Sequence, residues 1–387
     1  MTLLVSGIMF VAHLYLGWRL TRAAGFITRH PVAKWVPAAL LLSFYLLPVS
    51  TFGLYAVYGQ VDLLKFYQPI TYWFWFGFAF TFQLLSWVIV WDVLKVFSHR
   101  VMKSENSAIN RRYGWAVVAT MCGMLIFTGI KMVRDTTKII TETVTLSIPG
   151  LPEHLEGFRI IHVSDIQGDE YTGEKDIAGY VEKINQQQPD LVIFTGDLVS
   201  YGTEFIEMSA REFGKVRANY GVYAVVGDHD YWAGLTHIEP ALENNGIPLL
   251  KDENRVVRVG KDSLLLTGIT HVYSQQAVPE DVKRLTSDPV QTPVRILASH
   301  QISDLLISRA EQNGYDLLLA GHTHGGQVRV PLFGKTFSAA DMETTFVSGQ
   351  YREGNLFINI NSGLGFTLAP VRYNAPPAIS VIELAGG

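Results

Sequence analysis

The chain has 387 residues, a formal net charge of −4, 48% hydrophobic residues and a single cysteine. That length suffices for two or three domains, and one cysteine excludes an internal disulfide framework. The surplus of acid argues against a nucleic-acid partner, whose phosphates call for Lys and Arg.

The charge is unevenly placed. Residues 1–133 hold eleven Lys/Arg and three Asp/Glu, a net of +8; the remainder holds twenty and thirty-two, a net of −12, and the two sum to −4. Such a break predicts two parts in different surroundings. We divide the chain into residues 1–133, a four-helix transmembrane domain; 134–150, a linker and first strand; and 151–387, an α/β domain.

The first part reads as a membrane domain. Its apolar runs are Leu3–Trp18, Trp35–Tyr58, Ile70–Trp91 and Tyr113–Val133. About 20 residues cross a bilayer core, so the last three qualify and the first is marginal. Trp35, Tyr58, Tyr72, Trp73, Trp91 and Tyr113 crowd the ends of the runs, as an interfacial aromatic belt requires. A cleaved signal peptide is the rival reading of the first run, but no Lys or Arg precedes it.

Loop charges set the orientation. The first loop carries Arg19, Arg22, Arg29 and Lys34, the third Lys95, Arg100, Lys103, Arg111 and Arg112, and the second only Lys65. Positive loops stay in the cytoplasm, so both termini and the large C-terminal domain are expected outside it. Lys131, Arg134 and Lys138 pull weakly the other way. Cys122 lies inside the fourth run. His13, Gln83 and Asp92 are read as satisfied or near-interface groups rather than a transport path.

Residues 139–148 alternate β-branched and polar positions, a strand leaving the membrane that Pro149-Gly150 turns. Short apolar runs then alternate with helix-like segments. The expected strands are Phe158–Val163, Leu191–Phe194, Val222–Val226, Ser263–Thr267, Val294–Ala298, Leu317–Ala320, Leu356–Ile360 and Ile379–Ile382. Expected helices cover 174–187, 204–218, 237–244, 279–286 and 302–312. Strands this apolar are covered on both faces, which predicts an αββα sandwich of two sheets flanked by helices.

Chemistry sits where the strands break. The breaks carry, in order, Asp165 and Gln167, Gly196-Asp197, Gly227-Asp228-His229-Asp230, His300, and Gly321-His322-Thr323-His324. Five strand ends each deliver a carboxylate or imidazole, mostly beside glycine, and strand ends are where α/β sheets present ligands. Three aspartates, three histidines and a glutamine amide form a mixed nitrogen and oxygen set suited to divalent first-row ions.

With these motifs the chain resembles the calcineurin-like metallophosphoesterase family. That family reads Asp-x-His, Gly-Asp, Gly-Asn-His-Asp/Glu, a lone His and Gly-His-x-His, and the likeness covers about 155–385. The layout of spans followed by this domain is similar to its membrane-anchored members. The resemblance implies two divalent ions, Mn²⁺ foremost with Fe, Zn or Mg as alternatives. It places Asp165, Gln167, Asp197 and His324 at the first, Asp197 bridging, and Asp228, His300 and His322 at the second. It also implies hydrolysis of a phosphomonoester, phosphodiester or pyrophosphate by a metal-bridging hydroxide. His229 would be the acid for the leaving oxygen, and Asp230 would orient it.

Two positions depart from the pattern. Gln167 replaces a histidine, which favours harder ions, and Asp228 replaces an asparagine, which adds a negative charge. Both keep a donor atom, so a retuned enzyme is expected; the alternative is a weakened metal-binding sensor or scaffold. Among other residues, His162 reads as a buried structural group and His237 and His271 as loop or surface groups. Arg372 reads as a surface or packing group rather than a phosphate binder, while Tyr201, Tyr231 and Trp232 are read either as a hydrophobic wall by the metals or as ordinary packing. Anchoring beside the bilayer points to a lipid or lipid-linked phosphate as substrate.

Overall fold

The computed structural model describes residues 2–58, 68–102, 107–367 and 369–387. Lys65 and Asp62 of the second loop, and Lys103 and Glu105 of the third, lie outside the described residues. Residue contacts divide the chain into two units. The first is Met1–Asp135 with Val328–Ser338 and Ala369–Asn374; the second is Thr136–Gln327, Ala339–Leu368 and Ala375–Gly387.

The first unit holds α1 (Thr2–Ile27), α2 (Val36–Ser43), α3 (Leu46–Tyr58), α4 (Gln68–Met102) and α5 (Ser107–Thr137). Among the described residues, α4 and α5 are long and apolar enough to cross a bilayer. The pair Ala33–Ser43 and Leu46–Gly53, bent by 54°, makes a third if it is one span. Of the four expected spans, two or three are thus found among the described residues. The bend has a local cause, because Pro48 lacks an N–H and its ring crowds the carbonyl four residues back, at Phe44. Helices approach closely where side chains are small: a Cβ at Gly114 would lie 2.7 Å from the Ala23 carbonyl.

Several buried polar groups inside this unit pair with one another. The Asp92 carboxylate meets the Arg19 guanidinium and accepts hydroxyl hydrogen bonds from Tyr15 and, at 2.6 Å, Tyr113. Gln83 donates to the Ala79 carbonyl at 2.9 Å and accepts from Tyr373 at 2.8 Å. Asp92→Asn would leave Arg19 without its counter-charge. A loss of about 3 kcal/mol is expected, visible as a lower Tm in detergent; an unchanged Tm would show that the pair contributes nothing.

The second unit is two six-stranded mixed sheets. One has the order β1 (Ile140–Ile148), β16 (Ala378–Gly386), β2 (Arg159–Val163), β3 (Leu191–Phe194), β4 (Val222–Val225), β5 (Leu249–Leu250). The other runs β14 (Gly349–Glu353), β15 (Leu356–Ile360), β11 (Leu317–Ala320), β10 (Val294–Ser299), β7 (Asp262–Ile269), β6 (Glu253–Val259). Side chains alternate faces along each strand. Ile160, Leu191 and Ile193 therefore share a core with Leu264, Leu266, Ile296, Leu317 and Leu319 of the other sheet.

Neighbouring positions face outward. Ile161, Val192 and Phe194 pack on α6 (Glu174–Gln186), α7 (Ile206–Phe213) and α9 (Leu235–Asn244) through Ile177, Val181, Ile184, Phe213, Ile238 and Leu242. Leu265, Leu297 and Leu318 pack on α10 (Pro279–Thr286) and α11 (Asp304–Gln312) through Val282, Leu285 and Leu306. Both faces of each sheet are covered, which is why the strands read as unbroken apolar runs. A six-residue helix, α8 (Asp228–Ala233), follows β4. In each sheet four neighbouring strands are parallel, β2 to β5 and β15, β11, β10 and β7. The loops after β2, β3, β4, β10 and β11 carry the groups considered next.

Candidate metal centre

Immediately after these strands the backbone turns into unusual conformations. Asp165, Gln167, Asp197, His322 and His324 all have positive φ, between 49° and 71°. Such values are uncommon for residues other than glycine and concentrate at functional sites. Room is limited as well: a Cβ on Gly321 would lie 2.7 Å from Asp165 Oδ2, and one on Gly227 would collide with the Asp197 backbone and carboxylate.

The turns bring the candidate ligands together. Asp228, His300 and His322 form one group of ligand atoms within 4.8 Å of one another, and Asp165, Asp197 and His300 form a second. His300 belongs to both, with Nε2 at 3.3 Å from Asp197 Oδ2 and 3.4 Å from Asp228 Oδ2. His322 Nδ1 lies 2.8 Å from Asp228 Oδ2, and His324 Nε2 lies 3.2 Å from Asp165 Oδ1. The Gln167 amide donates to Asp197 Oδ2 at 2.8 Å.

The donors fit a cation pair. Asp165 Oδ1, Gln167 Oε1 and His300 Nε2 are buried without a hydrogen-bond partner, although a buried polar atom left unsatisfied is costly. His300 Nδ1–H donates to the Thr195 carbonyl at 2.6 Å, fixing the tautomer that turns the Nε2 lone pair toward the carboxylates. For Gln167 the oxygen is likewise the unsatisfied atom, as a hard-ion donor would be.

Charge within the cluster is self-consistent. Burial opposes ionisation of Asp165, and the His324 and His300 imidazoles outweigh it, holding the carboxyl below its usual range. Asp228 is drawn down in the same way by His300 and His322. Burial likewise disfavours a charged His322, but hydrogen bonds to Asp228 and Glu343 prevail and raise it to about 9. Imidazolium groups thus balance the carboxylates where cations would otherwise do so.

A raised histidine stabilises the metal-free fold fully below the unfolded value of about 6.5, and that contribution disappears as pH climbs through about 9. The Tm of chelator-treated protein should therefore fall between these pH values more steeply than that of Mn²⁺-loaded protein, whose imidazoles are neutral ligands. Parallel curves would rule out the linkage.

His229 and Asp230 separate. The His229 ring keeps Nε2 4.0 Å from Asp197 Oδ2, while Nδ1–H donates to the Ser200 carbonyl. Asp230 instead accepts backbone N–H bonds from Asp197 and Leu198, each at 2.8 Å, and from Gly227 at 3.1 Å. The expectation that Asp230 orients His229 is corrected: consecutive residues on α8 point about 100° apart and do not face each other. Asp230 fixes the loop that carries Asp197, and burial followed by the Asp197 charge pushes its carboxyl up to about 6.

Three contacts had no signal in the sequence. Gln301 donates to Asp228 Oδ2 at 2.8 Å, and the Tyr273 N–H donates to Asp228 Oδ1 at 2.7 Å. Glu343 Oε1 sits 3.0 Å from His322 Nε2. Beside His322 opens a pocket of about 390 Å³, whose lining includes Gln301, Ile302, Ile307, Glu343 and Phe346. Trp232 stands edge-on to His229 with centroids 4.9 Å apart. His162 is buried and bonded to Asn359 and Thr195, Arg372 is fully buried in the segment that packs with the helices, and His237 is exposed.

Comparison with known proteins agrees with this geometry. The family model for calcineurin-like phosphoesterases matches residues 158–326. Uncharacterized metallophosphoesterase YkuE of Bacillus subtilis is 27% identical over 62% of this chain and 83% of its own length. Phosphodiesterase YaeI of Escherichia coli is 26% identical over 59% of this chain and 82% of its own. A transmembrane protein with metallophosphoesterase domain from Danio rerio is 28% identical over 62% of this chain and 56% of its own.

Proposed function

We propose that this chain, whose residues 158–326 form a calcineurin-like phosphoesterase domain behind membrane helices, hydrolyses a phosphate ester at a dinuclear metal centre. The observation that carries the reading is the pair of overlapping ligand groups that share His300 at the ends of the parallel strands. Asp165, Gln167, Asp197 and His324 would hold one ion and Asp228, His300 and His322 the other, with Asp197 between them.

A bound metal pair supplies positive charge for the phosphoryl oxygens and acidifies water at neutral pH. The protein groups do the rest. Asp230 fixes the Asp197 turn, and Gln301 and Tyr273 hold the Asp228 carboxylate in place. Glu343 fixes the outer nitrogen of His322, as outer carboxylates do for metal-ligating imidazoles. His229 Nε2 holds the proton for the departing oxygen, its ring aimed by Ser200.

Mn²⁺ is the ion proposed, because four oxygen-donor residues beside three imidazole nitrogens suit a harder ion than zinc. A phosphodiester is the bond class favoured by the name of the Escherichia coli relative. Anchoring supports a lipid or lipid-linked substrate, and the basic first and third loops support an extracytoplasmic catalytic domain. With α1 as the first span and the bent pair as the second, the helices would cross four times.

The test is hydrolysis of a nitrophenyl phosphodiester by the full chain in detergent. Mn²⁺-dependent turnover that chelator removes is expected; metal binding without turnover on any phosphate ester would leave a sensor or scaffold instead. Glu343→Gln should lower Mn²⁺ affinity about 10-fold while leaving the fold intact, and equal affinity would remove Glu343 from the centre.

A further inference from the structure

We propose that the groove between α1 and α2 binds an anionic phospholipid from the surrounding bilayer. The inference stands on the helical unit and its membrane-spanning reading, not on the hydrolytic site. The groove encloses about 860 Å³. On α1 its lining recurs at positions 10, 13–14, 17–18, 21–22 and 25–26, which is one helical face. At about 1.5 Å per residue that face runs roughly 24 Å, longer than the roughly 15 Å of hydrocarbon in one leaflet.

The walls have the chemistry of a lipid from chain to headgroup. Phe10, Leu14, Trp18, Leu41 and Leu42 make an apolar slot. Gly17 and Gly25 leave it open, for a Cβ added at either meets nothing within 4 Å. Toward the loop end stand Arg22 and Lys34, whose charged groups lie 6.0 Å and 5.9 Å from the rings of Phe26 and Trp35. Neither makes an ion pair among the described residues. Beside Arg22, the Thr21 hydroxyl is buried without a hydrogen-bond partner, and so are His13 Nδ1 and the Tyr45 hydroxyl farther along the slot.

Two unpaired cations and a buried hydroxyl at one end of an apolar slot match a phosphate with an acyl chain behind it. A zwitterionic lipid brings the same phosphate with an added positive charge, which two cations oppose. Arg22, in the C-terminal part of α1, and Lys34, just before α2, belong to the basic stretch Arg19–Lys34 whose charge is expected on the cytoplasmic side, where anionic lipids are attracted to basic residues.

Native mass spectrometry of the full chain, released from detergent with phosphatidylglycerol or phosphatidylcholine of identical chains, tests this. The wild type should keep one phosphatidylglycerol with a preference of roughly tenfold. Arg22→Gln with Lys34→Gln should abolish the preference while retaining lipid, and Gly17→Leu, which fills the slot, should lose it. Should Gly17→Leu fail to fold, the charge pair still decides. Equal retention of the two lipids by the wild type, or an unchanged preference in the double variant, would overturn the proposal. So would a second copy of the chain occupying the groove in place of lipid.

Discussion

Asp197→Asn should cut turnover about 10³-fold and reduce bound Mn²⁺ below two per chain, with an unchanged fold. Asp197 is the carboxylate on which the cluster converges. Its Oδ2 faces His300 at 3.3 Å and the Gln167 amide at 2.8 Å, and its Oδ1 accepts from the His229 N–H at 2.8 Å. An amide in its place keeps the shape and removes the charge that would hold the two proposed cations together. The loss should exceed that of His324→Ala, because the His324 ring stands against Asp165, in one of the two proposed sites. Metal content by elemental analysis and circular dichroism on the same sample separate a lost centre from a lost fold. Two ions and full activity in Asp197→Asn would remove it from the bridging position.

The second large effect concerns leaving groups. His229→Ala should lower kcat for an alkyl phosphodiester about 10²- to 10³-fold, yet lower it only a few fold for a nitrophenyl ester, whose phenolate departs unaided. The ring is placed for this: half-buried, Nδ1 on the Ser200 carbonyl, and Nε2 free to face the centre. Equal losses for the two esters would mean that His229 shapes the pocket instead of delivering a proton. Asp230→Asn should act through stability and metal affinity, not through the leaving group, since its oxygens hold three backbone N–H groups.

How much of this was legible in the sequence depended on burial. β3, β11 and β15 match the expected strands residue for residue, because every side chain in them is buried and all but Asn359, which bonds His162, are apolar. The edge strands β6 and β14 escaped notice. Arg255 and Arg258 in β6, and Arg352 and Glu353 in β14, face solvent, so no run of apolar residues marks them. The short hairpin β12 (Val330–Leu332) and β13 (Lys335–Phe337) was equally unmarked; Val330 is buried in the helical unit, a partner that spacing along the chain cannot reveal.

The ligands were readable because each interrupts an apolar run, and chain order alone suggested that they meet. Which atoms support them was not readable. Glu343 lies in a polar stretch after a short turn, and Gln301 simply follows His300, so neither stands out by type or spacing. The expected contact of Asp230 with His229 fails for the opposite reason. Adjacency in sequence suggested contact, and the first turn of α8 sends the two side chains apart. The bend after Ser43 was also foreseeable in principle from Pro48, although hydropathy averaged over the whole run concealed it.

One measurement bears most directly on the central claim: bound Mn²⁺ per chain, followed by elemental analysis while phosphodiester turnover is recorded on the same detergent-solubilised sample. The account predicts two ions per chain, loss of both metal and turnover with chelator, and recovery of both when Mn²⁺ is restored. Turnover that persists in metal-stripped protein, or a chain that binds no divalent ion while Asp165, Asp197, Asp228, His300 and His322 are intact, would contradict it.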